Sequence, residues 1–128
     1  MTDSPRAGTI GWIDLTLANA HAARDFYRAV VGWEYEEVAV GDHTDYIMKA
    51  GAEGVPVAGI CNARGQNAGL PACWLMYITV DDLAAALKRV EQTGGRILRP
   101  SAQTGGGTFA VIADPSGAAC ALFQHTPA

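Results

Sequence analysis

Apolar and polar residues alternate from Ile10 to Leu17, which puts Ile13, Leu15 and Leu17 on one face of a strand and Trp12, Asp14 and Thr16 on the other. The period then lengthens. Ala22, Ala23, Phe26, Tyr27, Val30 and Val31 have the three-and-four spacing of a helix lying on a sheet, with Asn19 placed to cap it and Gly32 to end it. The same change recurs further on. Trp74, Met76, Ile78 and Val80 alternate with Leu75, Tyr77 and Thr79, Asp82 caps a second helix, Leu83, Ala86, Leu87 and Val90 form its stripe, and Gly94-Gly95 closes it.

The two stretches are copies. Gly32 and Gly95, Thr16 and Thr79, and Gly54 and Gly117 are each 63 residues apart, about half the chain. In each copy the helix leads to a strand entry (33–38; 96–98), an apolar strand (45–50; 108–113), a Gly- or Pro-bearing turn and a last strand (57–61; 118–124). Each half is therefore βαβββ: module 1 over residues 9–62, a Gly- and Asn-rich linker over 63–72, and module 2 over 73–125, together one domain over 9–125. The fold class predicted is α+β, two tandem βαβββ modules forming a concave mixed sheet with the helices on its outer face. One helix covers only one sheet face, so the open face is where function is expected.

Composition narrows the function. At 128 residues, with 49% hydrophobic and 17% charged residues, the chain is too apolar for a disordered segment. A net charge of -4 and no Lys/Arg cluster argue against nucleic acid as a partner. No stretch approaches the roughly 20 apolar residues that cross a bilayer, so no membrane role and a cytoplasmic location are expected. Cys61, Cys73 and Cys120 lack the spacing of a zinc knuckle or disulfide framework and read as small buried side chains.

Asp25-Phe26-Tyr27 in the first helix, Val31-Gly32-Trp33 after it and Asp114-Pro115-Ser116-Gly117 near the end give the chain a likeness over residues 9–125. It resembles the vicinal oxygen chelate superfamily of glyoxalases, extradiol dioxygenases, fosfomycin-resistance enzymes and bleomycin-binding proteins. Gly11-Trp-Ile-Asp-Leu15, the run from Trp74 to Asp82, Gly107-Thr-Phe-Ala-Val111 and Ala121-Leu-Phe-Gln124 are similar to a subfamily of small glyoxalase-like proteins. The resemblance implies a homodimer. In metal-dependent members each half supplies one ligand from its first strand and one from its last, and by motif spacing these positions become Trp12, Ala58, Leu75 and Ala121. None of the four side chains is a donor for a divalent ion, so no metal and no cofactor are expected; a displaced site using Asp14, His43 or His125 is the alternative.

The candidate site follows from strand parity. Trp12, Thr16, Ile60, Leu75, Ala121 and Phe123 are expected to line an apolar cup, and Asp14 and Tyr77 to supply its polar chemistry. Asp14 reads as a general base or a holder of an amine or hydroxyl, or else as a carboxylate satisfied by a neighbouring cation; Tyr77 reads as orienting a ligand or as an ordinary core tyrosine. Two function classes result: a metal-independent protein that binds a small apolar or aromatic molecule, and a glyoxalase- or isomerase-type enzyme with Asp14 as base and Tyr77 assisting. Trp33 and Trp74 read as core. Gly105-Gly106-Gly107, which no lysine follows, reads as a mobile loop over the cup rather than a phosphate loop.

Overall fold

The Asn19 side chain accepts a hydrogen bond from the Ala22 amide at 3.3 Å, and Gly32 takes the left-handed conformation (φ 79°) that a helix end favours, so the first helix starts and stops where its sequence says. Asp82 does the same for the second, accepting from the Ala85 amide at 3.0 Å. The structure is a computed structural model and describes residues 5–127. Its elements run β1 (Ile10–Leu17), α1 (Ala20–Val31), β2 (Glu34–Val40), β3 (His43–Ala50), β4 (Val55–Asn62), β5 (Trp74–Thr79), α2 (Leu83–Gln92), β6 (Arg96–Thr104), β7 (Gly107–Ala113) and β8 (Ala119–His125), with a 3-10 turn at Gly65–Asn67 in the linker. This is an α+β fold with βαβββ connectivity in both halves. Among the described residues no helix is long and apolar enough to cross a membrane.

By packing, the chain divides into two compact units: Ile13–Trp74, and the residues up to Trp12 together with those from Leu75 on. In the first unit the strand order is β2, β3, β4, β1, with β4 and β1 parallel and the other pairs antiparallel. In the second, β5 lies parallel to β8, which continues antiparallel to β7 and then β6. The segment entering β1 belongs to this unit, because the Gly8 amide donates to the Thr79 carbonyl and the Thr79 amide to the Thr9 carbonyl, both at 2.8 Å.

Each helix covers one face of its own unit's sheet. Under α1 lie Leu15, Tyr46, Met48 and Ile60, joined by Ala20 of the helix; under α2 lie Ala110, Ile112 and Leu122, joined by Leu83 and Ala86 of the helix. The stripe predicted for α1 is too wide. Ala23 and Tyr27 pack on the cluster, whereas Phe26, Val30 and Val31 are 57%, 62% and 52% exposed. Successive helical residues turn about 100°, so Tyr27 facing the sheet carries Phe26 away from it.

Trp33 and Trp74, expected in the core, are half-buried, pack against the cluster under α1 and build one aromatic cluster with Tyr27. Ring centroids lie 5.8 Å apart for Tyr27 and Trp33, 5.3 Å for Tyr27 and Trp74, and 6.1 Å for the two tryptophans. The Trp74 indole N–H donates to the Tyr27 hydroxyl at 3.1 Å, which satisfies both polar tips inside an apolar contact.

The expected loop at Gly105–Gly107 is a tight hairpin. Thr104 pairs with Gly107, leaving only Gly105 and Gly106 in the turn, and a Cβ at Gly107 would run into the Gln124 carbonyl oxygen. Glycine at 107 is there for the close approach of two strands.

Candidate functional site

Residues opposite one another in a sheet share a face, so the registers decide what each open face carries. In the second unit Ile78, Val80, Ala110, Ile112, Cys120 and Leu122 point to α2. The opposite parity holds Leu75, Tyr77 and Thr79 on β5, Ala121, Phe123 and His125 on β8, and Phe109 and Val111 on β7. Tyr77 stands opposite Ala121, and Thr79 opposite Phe123, which stands opposite Phe109.

The rings on this face touch in sequence. Tyr77 lies 6.0 Å from Phe109 and 6.4 Å from Phe123, and Phe123 meets the His125 imidazole edge-on at 4.7 Å. Leu75, Val111 and Ala121 form a fully buried floor. The His125 Nε2 lies 3.2 Å from the Thr79 hydroxyl, which ties the last residue of β8 to the end of β5. At the strand ends His125 borders a recess of about 270 Å³ that Gln103, Thr104, Thr108 and Gln124 also line. An apolar aromatic surface is suited to a flat organic molecule.

The first unit's open face is polar. Asp14 and Thr16 stand opposite Gly59 and Cys61. Burial pushes the Cys61 thiol far above its ordinary pKa, and the charges of Asp14 and Asp45 add to the rise, so this thiol stays protonated. The Asp45 carboxylate accepts from the Asn62 amide at 2.9 Å and from its side chain at 3.0 Å, and His43 lies 3.7 Å away. Asp45 is thus occupied in tying β3 to β4. His43 opens β3 with a side chain only 11% exposed, and its Nδ1 lies 3.2 Å from the Asp42 carboxylate.

Two assignments from sequence change. Ile60, expected to line the cup, is fully buried in the cluster under α1 with Leu15 and Met48. Ala58, expected at a metal-ligand position, stands opposite Met48 on that same side. The pairing of Asp14 with Gly59 matches that of Tyr77 with Ala121, so the equivalent position is Gly59, one residue further on. The repeat offset that aligns β1 with β5 does not hold as far as β4 and β8, and a register irregularity lies between Met48 and Lys49. Trp12, Asp14 and Thr16 share one parity of β1; Thr16 is buried, and Trp12 and Asp14 are half-buried.

Paired βαβββ modules of this order define the class of protein. The chain belongs to the Glyoxalase/Bleomycin resistance protein/Dioxygenase superfamily, whose family model matches residues 9–122. It is 36% identical over 121 residues to "Putative glyoxylase CFP32" of Mycobacterium bovis, covering 93% of this chain and 46% of that protein. It is 32% identical over 133 residues to "Anthracycline biosynthesis protein DnrV" of Streptomyces peucetius, covering 91% and 47%. The chain therefore spans about half the length of the curated relatives it matches. Among solved structures, methylmalonyl-CoA epimerase from Mycobacterium tuberculosis shares the fold at a TM-score of 0.56 and 15% identity, over 99% of this chain and 94% of that one.

The residues present do not fit the divalent ion of the metal-dependent members. Trp12, Gly59, Leu75 and Ala121 offer indole, hydrogen, isobutyl and methyl where such an ion needs carboxylate, imidazole or thiolate. Among the described residues no group of three or more His, Cys, Asp or Glu side chains is arranged to hold one.

Proposed function

We propose that this protein binds a small apolar or aromatic molecule without a metal ion, on the open face of its second module. The half-buried rings of Tyr77 and Phe123, backed by the buried Phe109 and a fully buried aliphatic floor, are the observation that carries this reading. Trp12, on the open parity of β1 and part of the same packed unit, is a further proposed lining residue. A binding role is favoured over catalysis by the donor set. An enediolate-type reaction needs a preorganised electrophile, and the ligand positions of the family supply none here.

Asp14 keeps the enzyme reading testable, since it lies on the open face with Thr16 and its charge reaches Cys61. Asp14→Asn is expected to leave the affinity for a neutral ligand within about threefold, because it preserves shape and most hydrogen bonding. A fall in turnover of roughly 10²–10⁴ on any compound the wild type converts, with affinity unchanged, would establish Asp14 as a general base.

We further propose a homodimer. Phe26, Val30 and Val31 form an exposed apolar stripe on α1, and a second copy, which the family resemblance implies, is the occupant we propose for it. Sedimentation should give about twice 13.4 kDa, and Phe26→Glu should return it to one. A wild type that stays monomeric at every concentration refutes the dimer. The free thiols of Cys61, Cys73 and Cys120 suit a reducing compartment such as the cytoplasm.

A further inference from the structure

Arg99 stands on β6 opposite Val111, which stands opposite Ala121, which stands opposite Tyr77, so these four residues form one row across β6, β7, β8 and β5. Ala102 and Phe109 begin the next row, which continues to Phe123. The arginine thus lies at one end of the face described above, with only valine and alanine between it and the tyrosine. Strand register slips on both sides of it, between Ile97 and Arg99 and again between Arg99 and Ala102. Such irregularities on an edge strand re-aim a side chain and gather beside functional sites. Pro100 follows and restricts Arg99 to extended backbone.

The Arg99 Nε is buried and has no hydrogen-bond partner among the described residues. A guanidinium does not lose its proton to escape burial, so this N–H remains a charged donor without an acceptor. Three of the other arginines are ion-paired: Arg24 with Asp25, Arg28 with Glu34 and Arg64 with Asp42. A buried donor left unmet is costly to the fold and is retained where something else meets it.

We propose that Arg99 is the anchor for the carboxylate of an organic acid whose apolar body lies against the half-buried rings of Tyr77 and Phe123. A carboxylate meets a guanidinium fork in a two-point contact, and its charge offsets that of a buried N–H even where it does not touch it. From β6 to β5 are three interstrand steps, about 14 Å, which gives an arginine and a ring-bearing acid room to lie end to end. The inference rests on the ring-binding reading and adds the ligand's charge to it.

The test uses acid and amide pairs of the same shape: benzoate with benzamide, phenylacetate with phenylacetamide, and cinnamate with cinnamamide. Each is titrated at pH 7 into the wild type, Arg99→Met, Arg99→Lys and Phe123→Ala. At least one acid should bind the wild type about tenfold or more tightly than its amide. Arg99→Met should bring that acid down to its amide without changing the amide, and Arg99→Lys should restore part of the difference. Free of ligand, Arg99→Met should melt no lower than the wild type, since it removes an unmet donor. A clear fall would mean that the guanidinium serves the fold, and would overturn the proposal. Acids no tighter than their amides, or untouched by Arg99→Met, overturn it too. Amides that bind the wild type but not Phe123→Ala uphold the ring-binding reading whatever the acids do; no binding by any of these compounds overturns both.

Discussion

Trp74→Ala is expected to cost about 3 kcal/mol of folding stability and to lower the melting temperature by roughly 10 °C. The tryptophan lies against both Tyr27 and Trp33, and its truncation removes those ring contacts and leaves the Tyr27 hydroxyl without its indole partner. Trp74→Phe separates the two contributions, since it keeps most of the ring contact and deletes the hydrogen bond alone. That variant should lose only about 1 kcal/mol. Thermal denaturation of the three proteins at one concentration measures both, and equal losses for the two variants would mean that the hydrogen bond, not the packing, holds the cluster together.

Phe123→Ala is expected to weaken ligand binding by about 1–3 kcal/mol, or roughly 5- to 150-fold. Phe123 contacts Tyr77 and the His125 ring and stands opposite both Phe109 and Thr79, so it is the middle of the aromatic surface and not its edge. Its side chain is only half-buried in the free protein, which leaves ring area for a ligand to cover. Trp12→Ala gives a companion measurement on the open parity of β1. Calorimetric titration of a compound that stabilises the wild type measures each loss. An affinity unchanged by Phe123→Ala would move the site off this face.

Much of this was legible in the sequence because period and capping are local. Asn19, Asp82, Gly32 and the two apolar stripes fixed both helices, and the 63-residue spacing fixed the βαβββ repeat. What depends on register was not. Whether Ala58 or Gly59 matches Ala121 turns on which residue of β4 lies beside Asp14, and a one-residue slip moves every side chain to the other face. The same slip put Ile60 in the cup when it belongs under α1. Asp45 and Cys61 escaped notice because their association joins adjacent strands across a turn, and no single-strand pattern shows it. Arg99 was hidden by irregularities on both sides, which break the alternation that would have marked its face. The exposure of Phe26 and Val30 is a matter of which side of α1 meets the sheet, and a six-residue apolar stripe leaves that choice open.

The most direct test of metal-free binding is a calorimetric titration, with and without excess chelator, of the compound that most stabilises the wild type among aromatic, amine and dicarbonyl molecules, followed by recovery of that compound. The account predicts one molecule bound per chain, the same affinity in both conditions, and the compound recovered unaltered. Binding that vanishes in chelator and returns with a divalent ion, or a compound recovered as a different isomer, would contradict it.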